Sequence, residues 1–316
     1  MSKGLKRYKM YGLYGNRTTL EMLKTTLAGG RASHSYLIHG DKGVGKKTLA
    51  AGIASELTGC TNVHAHPDVI WAQHEGKLGG FKVEYVRSLL TDAFILPNNA
   101  DRKVYIFTDC DNMNAFAQNA LLKVVEEPPE FTYFIFTVSN RDNILPTILS
   151  RVISIGLSEC SDEECRTALA EKDYSPEEIE DAVSAFHGNV GMCIAYLSDE
   201  ALKNSTQTAR NIAMSLAQGN EYGLLKAFGE AESDRAYLKN VIVMLDKIVR
   251  DASAFRYGGR MIGCSYEAAK TLSGKYTIKQ LDSIHNILTE TVSELGKNVG
   301  ISIETASLCG RIFDGK

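Results

Sequence analysis

The sequence predicts an α/β fold with a parallel sheet in its N-terminal part, followed by a part that is entirely helical. Short apolar runs at residues 36–39, 104–108 and 133–138 alternate with helical patterns. Near-continuous apolar runs of this kind are typical of parallel strands that are covered on both faces. After residue 151 the runs stop and helix-start signals follow, so the 316 residues are expected to form more than one domain.

The first apolar run, residues 36–39, leads directly into a glycine-rich loop. Residues 46–57 then have the pattern of a helix, because Leu49, Ile53 and Leu57 recur at i, i+4 and i+8. A strand, a glycine loop and a helix in this order are the arrangement that a phosphate-binding loop requires.

A further helix is predicted between the second and third apolar runs. Phe116, Ala120 and Val124 recur at helical spacing and mark one apolar face. Pro128 and Pro129 are expected to end this helix, because proline lacks an N–H group and clashes with the preceding turn.

The remainder of the chain is predicted to be helical. Ser161 and Ser175 are each followed by early carboxylates, which is typical of helix starts. Two apolar stripes follow, formed by Leu238, Val241, Ile242, Leu245, Ile248 and Val249 and by Leu281, Ile284, Leu288 and Leu295. We expect three domains, at residues 1–156, 157–204 and 205–316.

Composition excludes several classes of protein. No stretch is long and apolar enough to span a bilayer, and the basic residues near the N-terminus are not followed by the apolar region of a secretory signal. The seven cysteines are scattered without a C-x-x-C pair, which favours a reducing cytoplasm. The net charge of −3 lacks the basic excess of a protein that grips DNA alone, so any DNA contact is expected to be shared with partners.

The glycine loop matches a phosphate-binding loop with one departure. The pattern is G-x-x-x-x-G-K-[ST], and Gly40, Gly45 and Lys46 fit it, with Gly43 as a further glycine of the loop. Lys47 stands where a hydroxyl should bind Mg²⁺. The hydroxyl of the next residue, Thr48, is rotated by about 100° along the helix and is expected to point elsewhere.

The second half of a hydrolytic site would follow the run at 104–108. Such a site needs one carboxylate for Mg²⁺ and a second one to activate water. If Asp109 is the metal partner, Cys110 occupies the position of the base; if Asp109 is the base, Thr108 occupies the position of the metal ligand. Either register loses one function. An ordinary acidic loop is the alternative, and Cys110 is expected to be a packed thiol.

Three longer motifs resemble those of a known family. The first combines residues 11–16 with residues 30–37. The second is N-A-L-L-K-V-V-E-E-P-P at 119–129, and the third is L-P-T-I-L-S-R at 145–151. They resemble the clamp-loader AAA+ family of bacterial DNA polymerase III, with Val152 in place of the cysteine that usually follows the arginine. The resemblance implies a RecA-like AAA+ module, a helical lid and a C-terminal collar domain that mediates oligomerisation.

The resemblance also implies roles for individual residues. Arg151 would be an arginine finger that reaches the ATP site of a neighbouring subunit, with Ser150 positioning it. Met192 stands where the family often has a basic nucleotide contact after the G-x-x-G pair at 188–191, so that contact would be absent. The family often binds zinc through four cysteines, but here only Cys60, His64 and His66 are present, a poor tetrahedral set, and no metal is expected.

The implied partners are the motor (gamma/tau) subunits and the delta subunit of a hetero-oligomeric ring, the sliding clamp, and primer–template DNA through the complex. No nucleotide cofactor is required, although weak binding of ATP or ADP is compatible with Lys46. ATPase activity of the chain itself is not expected. Two alternatives remain at this stage: an active motor-type ATPase subunit, and a nucleotide-sensing module outside replication.

Overall fold

The computed structural model describes residues 9–29, 32–74, 80–232, 234–259, 261–295 and 300–314. Within them the chain forms two compact units, an N-terminal unit of residues 1–164 and a C-terminal unit of residues 165–316. The predicted domain boundaries at residues 156 and 204 stay predictions. Gly30 and Arg31 of the first clamp-loader motif, and the basic residues before Lys9, lie outside the described residues.

The N-terminal unit is built on a five-stranded parallel sheet. A short antiparallel hairpin precedes it, with strands β1 (Lys9–Met10) and β2 (Leu13–Tyr14). The sheet strands are β3 (Ser35–His39), β4 (Val69–Ala72), β5 (Lys103–Phe107), β6 (Thr132–Val138) and β7 (Ile153–Gly156). Their spatial order is β4-β5-β6-β3-β7. The predicted parallel α/β class is therefore confirmed.

The central strands are buried on both faces, as their apolar runs predict. Every residue of β5 and of β6 is buried. Successive side chains on a strand point to opposite faces, and in β5 Val104 and Ile106 join one core while Tyr105 and Phe107 join the other. The predicted strand at 104–108 ends one residue early, so Thr108 begins the loop beyond the sheet.

Helices cover both faces of this sheet. They are α1 (Arg17–Ala28), α2 (Lys46–Thr58), α3 (Val83–Asp92), α4 (Ala115–Glu126) and α5 (Pro146–Leu149). The predicted helix after the glycine loop is confirmed, because Leu49, Ile53 and Leu57 are all buried in the core shared with β3. Helix α4 ends at Glu126, before Pro128, as predicted.

The predicted apolar face of α4 is wrong at one position, because Phe116 is 76% exposed. The Asn114 side chain accepts a hydrogen bond from the Ala117 backbone N–H and so sets the start of the helix. The buried side comprises Ala117, Gln118, Leu121, Val124 and Val125. Phe116 precedes Ala117, and one residue along a helix corresponds to a rotation of about 100°, which carries its ring away from the sheet.

In its described residues the C-terminal unit consists of helices joined by loops, with no strand. Helix α6 (Asp162–Ala170) begins at the end of the N-terminal unit. The further helices are α7 (Pro176–Phe186), α8 (Val190–Ser198), α9 (Glu200–Gln218), α10 (Glu221–Ala231), α11 (Arg235–Phe255), α12 (Tyr266–Lys275), α13 (Ile278–Glu294) and α14 (Ile301–Asp314).

The helix signals of this unit are confirmed. Ser175 and Glu178 form a reciprocal capping box at the start of α7. The apolar stripe of α11 is buried in full, and that of α13 is buried from Leu281 to Leu295. Across the described residues, no helix combines the length and apolar character needed to cross a membrane.

Candidate functional site

The glycine loop connects β3 to α2 at the carboxyl edge of the sheet. Gly40, Gly43 and Gly45 all have φ angles between +93° and +145°, a region that side chains rarely adopt. A Cβ atom on Gly40 would lie 2.2 Å from the Leu157 carbonyl oxygen, and one on Gly45 would lie 2.2 Å from the side chain of Leu13. The loop conformation therefore requires all three glycines, and close packing adds a second reason at Gly40 and Gly45.

Lys46 points back into the loop. Its Nζ donates hydrogen bonds to the carbonyl oxygens of Gly40 at 2.6 Å and Asp41 at 2.9 Å, and it lies 3.5 Å from the Ser139 hydroxyl. The side chain is only 7% exposed. Burial lowers the pKa of Lys46, although the nearby carboxylates of Asp109, Asp111 and Asp41 oppose that shift. The Lys46 ammonium group thus lies within the loop, at the position where a phosphate-binding loop holds its anion.

Lys47 forms an ion pair across the edge of the sheet. Its Nζ lies 2.6 Å from Oδ2 of Asp109, and both side chains are about half exposed. The Asp109 backbone, at φ +50°, donates its N–H to the Thr137 hydroxyl at 2.9 Å. The side chain of Thr48 instead lies against the backbone of Gly12, with its methyl group 3.2 Å from where a Cβ would stand. The structure brings Lys47 and Asp109 together, and the Thr48 side chain faces elsewhere.

Asp111 anchors the loop beyond β6, a role that sequence reasoning missed. Its carboxylate accepts the backbone N–H groups of Ser139 and Asn140 at 2.9 and 3.0 Å, and the Asn143 side-chain amide at 3.3 Å. Burial alone would raise the pKa of Asp111, but these hydrogen bonds lower it. The sequence did contain a pattern from which this contact could have been predicted. Ser139 directly follows a buried strand, and the carboxyl end of that strand must lie at the same edge of the sheet as the glycine loop.

Thr108 and Cys110 are both buried beside Asp109. The Cys110 thiol is 0% exposed and lies 3.3 Å from the Phe107 carbonyl oxygen, to which it donates. Burial raises the pKa of this thiol, which keeps it protonated at neutral pH. Cys110 is therefore a packed thiol, as the sequence predicts, and it can act neither as a nucleophile nor as a base.

We expect a single cysteine of the folded protein to react rapidly with a thiol reagent such as Ellman's reagent. Of the seven cysteines, Cys60 is partly exposed and the others are buried. The denatured protein should titrate all seven. Rapid labelling of more than one thiol, or of the Cys60→Ser variant, would contradict the burial of the other six cysteines, which include Cys110.

The candidate zinc residues lie apart from the glycine loop and have other contacts. The Cys60 sulfur lies 3.0 Å from the Thr58 hydroxyl, and the ring of His64 stacks on Trp71 with centroids 4.6 Å apart. Nδ1 of His66 accepts the Asp68 backbone N–H at 3.2 Å. In the part of the chain that the structure describes, no group of three or more His, Cys, Asp or Glu side chains is arranged to hold a metal ion.

Arg151 follows α5 at the surface of the N-terminal unit. Its Nε lies 2.8 Å from Oε1 of Glu126, and its Nη1 donates to the Thr147 carbonyl oxygen at 2.8 Å and to the Ser150 hydroxyl at 2.9 Å. The side chain remains 40% exposed. Ser150 thus touches the guanidinium, whereas sequence reasoning did not identify Glu126 as its partner. Met192 lies in the first turn of α8, and the predicted loss of a nucleotide contact there stays a prediction.

The parallel sheet with helices on both faces, and the glycine loop that leads from β3 into α2, define an α/β module of the P-loop class. Within this class, residues 15–161 match the family described as "DNA polymerase III, delta subunit".

Two relatives illustrate the similarity in sequence. DNA polymerase III subunit tau of Escherichia coli (strain K12) is 28% identical over 245 residues, which cover 70% of this chain and 38% of tau. DNA polymerase III subunit gamma/tau of Mycobacterium tuberculosis (strain ATCC 25618 / H37Rv) is 33% identical over 150 residues, which cover 41% of this chain and 25% of that protein. The matched part of the chain thus spans well under half of either relative.

Two solved structures are also similar. A DNA polymerase III gamma subunit-related protein from Thermotoga maritima has 16% identity and a TM-score of 0.48, with 94% of this chain and 100% of that chain covered. The Bacillus subtilis DNA clamp loader delta protein has 12% identity and a TM-score of 0.40, with 93% and 99% covered. The sequence matches thus show similarity to the delta and tau subunits of DNA polymerase III.

Proposed function

We propose that this chain is a delta-prime-type clamp-loader subunit of a bacterial DNA polymerase III holoenzyme. It joins gamma/tau motor subunits and a delta subunit in a hetero-oligomeric ring that places the sliding clamp on primer–template DNA during replication. It does not hydrolyse ATP with its own site, and it supplies Arg151 to the site of a neighbouring subunit.

The observation that carries this proposal is the ion pair between Lys47 and Asp109. A P-loop ATPase holds Mg²⁺ with the hydroxyl that follows its lysine and with an acidic residue at the end of a neighbouring strand. Here the first position is an ammonium and the second is the carboxylate that pairs with it. Cys110, next along the loop, is buried and cannot replace the carboxylate that activates water. Both features support the proposal that this subunit does not hydrolyse ATP with its own site.

Arg151 is suited to act outside its own subunit. Its guanidinium is 40% exposed, and its ion pair with Glu126 lies at the surface. Exposed ion pairs of this kind contribute about 0–1 kcal/mol, so exchanging Glu126 for a new partner costs little. An arginine finger lowers the barrier of phosphoryl transfer by far more, about 10³- to 10⁵-fold in rate. The cost of releasing Glu126 is therefore small beside the transition-state stabilisation that a trans arginine can provide.

The proposal is tested by comparing the isolated chain with a reconstituted ring. We expect the isolated chain to show no magnesium-dependent ATP turnover above the protein-free baseline. A ring assembled from motor subunits, delta and this chain should hydrolyse ATP in response to clamp and primed DNA. Turnover by the isolated chain at the rate of the motor subunits would instead favour the motor-type alternative.

A pull-down from the native cell tests the other alternative. We expect polymerase III subunits to be recovered with this chain. Their absence from the recovered proteins would favour a nucleotide-sensing module outside replication, because a ring subunit must co-purify with its neighbours.

A further inference from the structure

The Arg151 guanidinium is held by two elements of its own subunit. Its Nε lies 2.8 Å from Oε1 of Glu126, the last residue of α4. Its Nη1 donates to the Thr147 carbonyl oxygen and to the Ser150 hydroxyl at the end of α5. We propose that Glu126 is a latch, a side chain that retains the guanidinium on its own subunit until ring assembly brings a neighbouring ATP site within reach. This inference rests on the proposed function, in which Arg151 acts in trans.

The latch occupies a donor that a bound phosphoryl group would need. A guanidinium has five N–H groups, and it binds phosphate most strongly through two parallel hydrogen bonds. The Nε group of Arg151 faces Glu126, and Nη1 faces Thr147 and Ser150. Within the described residues only Nη2 is left without an acceptor. Release of Glu126 would free Nε beside Nη2, and these two groups form one edge of the planar fork.

The Glu126 carboxylate also offsets the charge that an arginine finger supplies. The finger acts by placing positive charge where negative charge develops on the transferring phosphoryl group. A carboxylate at 2.8 Å from the guanidinium neutralises much of that charge at longer range. Arg151 would therefore stabilise the phosphoryl group less while Glu126 is bound than after its release.

The position of Glu126 argues against a role in stabilising its own helix. Glu126 is the last residue of α4, and the C-terminal end of a helix carries partial negative charge, which repels a carboxylate. Asp or Glu is favourable at the opposite end of a helix. The pairing with Arg151 offsets this unfavourable placement, so the two side chains hold each other.

The latch is weak enough to open when the ring forms. The Arg151 and Glu126 side chains are 40% and 46% exposed, so water can replace either partner. An exposed ion pair shifts an equilibrium by up to about fivefold. This factor sets the size of the effect that loss of the latch can have on the rate.

ATP hydrolysis by the reconstituted ring, measured with and without clamp and primed DNA, tests the inference. Glu126→Gln keeps the size of the side chain and its acceptor oxygen but removes the charge. Without clamp and DNA, we expect rings with this variant to hydrolyse ATP about two- to fivefold faster than parent rings. Stimulation by clamp and DNA should fall by the same factor. An unchanged rate would overturn the inference, and so would a lower one, because Glu126 would then position Arg151 instead of restraining it.

Glu180 provides a comparison with the same chemistry. Its Oε1 lies 2.7 Å from Nε of Arg166, and its side chain is exposed, so Glu180→Gln removes the charge from a similar surface ion pair. Glu127→Gln removes the adjacent charge of the same motif, and among the described residues Glu127 forms no ion pair. Both variants should leave the rate without clamp and DNA unchanged. If either raises it as much as Glu126→Gln, loss of negative charge in general explains the effect.

A spectroscopic measurement on the isolated full chain tests the latch without the ring. The Nε–H group of Arg151 gives an NMR signal that is identified by its loss in Arg151→Ala. We expect this proton to exchange with water severalfold faster in Glu126→Gln, because a hydrogen bond to a charged acceptor is stronger than one to a neutral acceptor. Glu180→Gln should not change the exchange. Equal exchange in the parent chain and in Glu126→Gln would overturn the inference.

Failure of the latch is distinguishable from failure of the proposed function. If Arg151→Ala lowers ring turnover but Glu126→Gln does not raise it, only the latch is lost. If Arg151→Ala leaves ring turnover unchanged, the trans role fails and the latch fails with it. In rings that already carry Arg151→Ala, Glu126→Gln should have no effect, because Glu126 acts through Arg151.

Discussion

Replacing Arg151 by alanine is expected to lower ATP turnover about 10³-fold at the neighbouring site that receives its guanidinium, as removal of an arginine finger does. The change removes the planar fork that would offset charge on the transferring phosphoryl group. The measurement is ATP hydrolysis by the reconstituted ring with clamp and primed DNA, in single-turnover mode so that the affected site is resolved from the others. Clamp loading should fall with it.

Arg166 offers a matched control. Its Nε lies 2.7 Å from Oε1 of Glu180, and its side chain is also 40% exposed, so Arg166→Ala removes a surface arginine in a similar ion pair. This variant should leave ring ATPase unchanged. Arg151→Lys keeps the charge but loses the bidentate geometry and should recover little activity. If rings with Arg151→Ala and with Arg166→Ala hydrolyse ATP at the same rate, Arg151 does not act at the ATP site of a neighbouring subunit.

Replacing Asp68 by alanine is expected to cost about 3 kcal/mol of unfolding free energy, the scale for breaking a buried hydrogen-bond network to a charged group. Asp68 precedes β4 and is fully buried. Its carboxylate accepts the backbone N–H groups of Asn98, Asn99 and Ala100 at 2.6, 2.7 and 2.9 Å. Without it, these backbone N–H groups in the loop between α3 and β5 lose their acceptor. Urea unfolding of both proteins at neutral pH provides the comparison.

Asp101 supplies the control for this experiment. It lies one residue beyond the segment that Asp68 holds, and its side chain is exposed. Asp101→Ala should change stability by less than about 0.5 kcal/mol, the usual range for exposed positions. A similar loss in the two variants would mean that Asp68 does not organise this loop.

The effect of Asp68 should depend on pH. Burial by itself would raise the pKa of Asp68, but the hydrogen bonds from Asn98, Asn99 and Ala100 lower it below the ordinary value of 3.8. The folded protein therefore favours the ionised carboxylate, and its stabilising contribution is complete above that ordinary value. It is lost as the pH falls through the lowered pKa. The difference in unfolding free energy between the parent protein and Asp68→Ala should shrink below about pH 4.

Several features of the site follow from local sequence. The glycines at 40, 43 and 45 and the helix that begins at Lys46 are recognisable because a tight strand-to-helix turn demands positive φ angles at fixed spacing. The absence of a hydroxyl after Lys46 is recognisable in the same way, because Lys47 occupies the motif position that normally holds Ser or Thr. Such signals depend on neighbours a few residues away, so a single sequence is enough to identify them.

The face of α4 shows where local reasoning fails. Phe116 precedes Ala120 and Val124 at helical spacing, and this spacing placed it on the predicted apolar face. The Asn114 cap and the packing of Leu121 against the sheet decide otherwise, and Phe116 stays exposed. Helical periodicity defines a set of faces, but which face is buried depends on the surface that the helix covers.

The amino-acid sequence was sufficient for the parallel α/β class, for a phosphate-binding loop with its magnesium hydroxyl missing, and for an arginine after a proline-started turn. Only the tertiary structure paired Lys47 with Asp109 and Arg151 with Glu126. These partners lie on different elements, and the order β4-β5-β6-β3-β7 that brings the carboxyl ends of β3 and β5 to one edge is decided by packing of both sheet faces. Sequence motifs indicate which functional side chains are present. The distances between those side chains are decided only when the hydrophobic cores on the two faces of the sheet pack together.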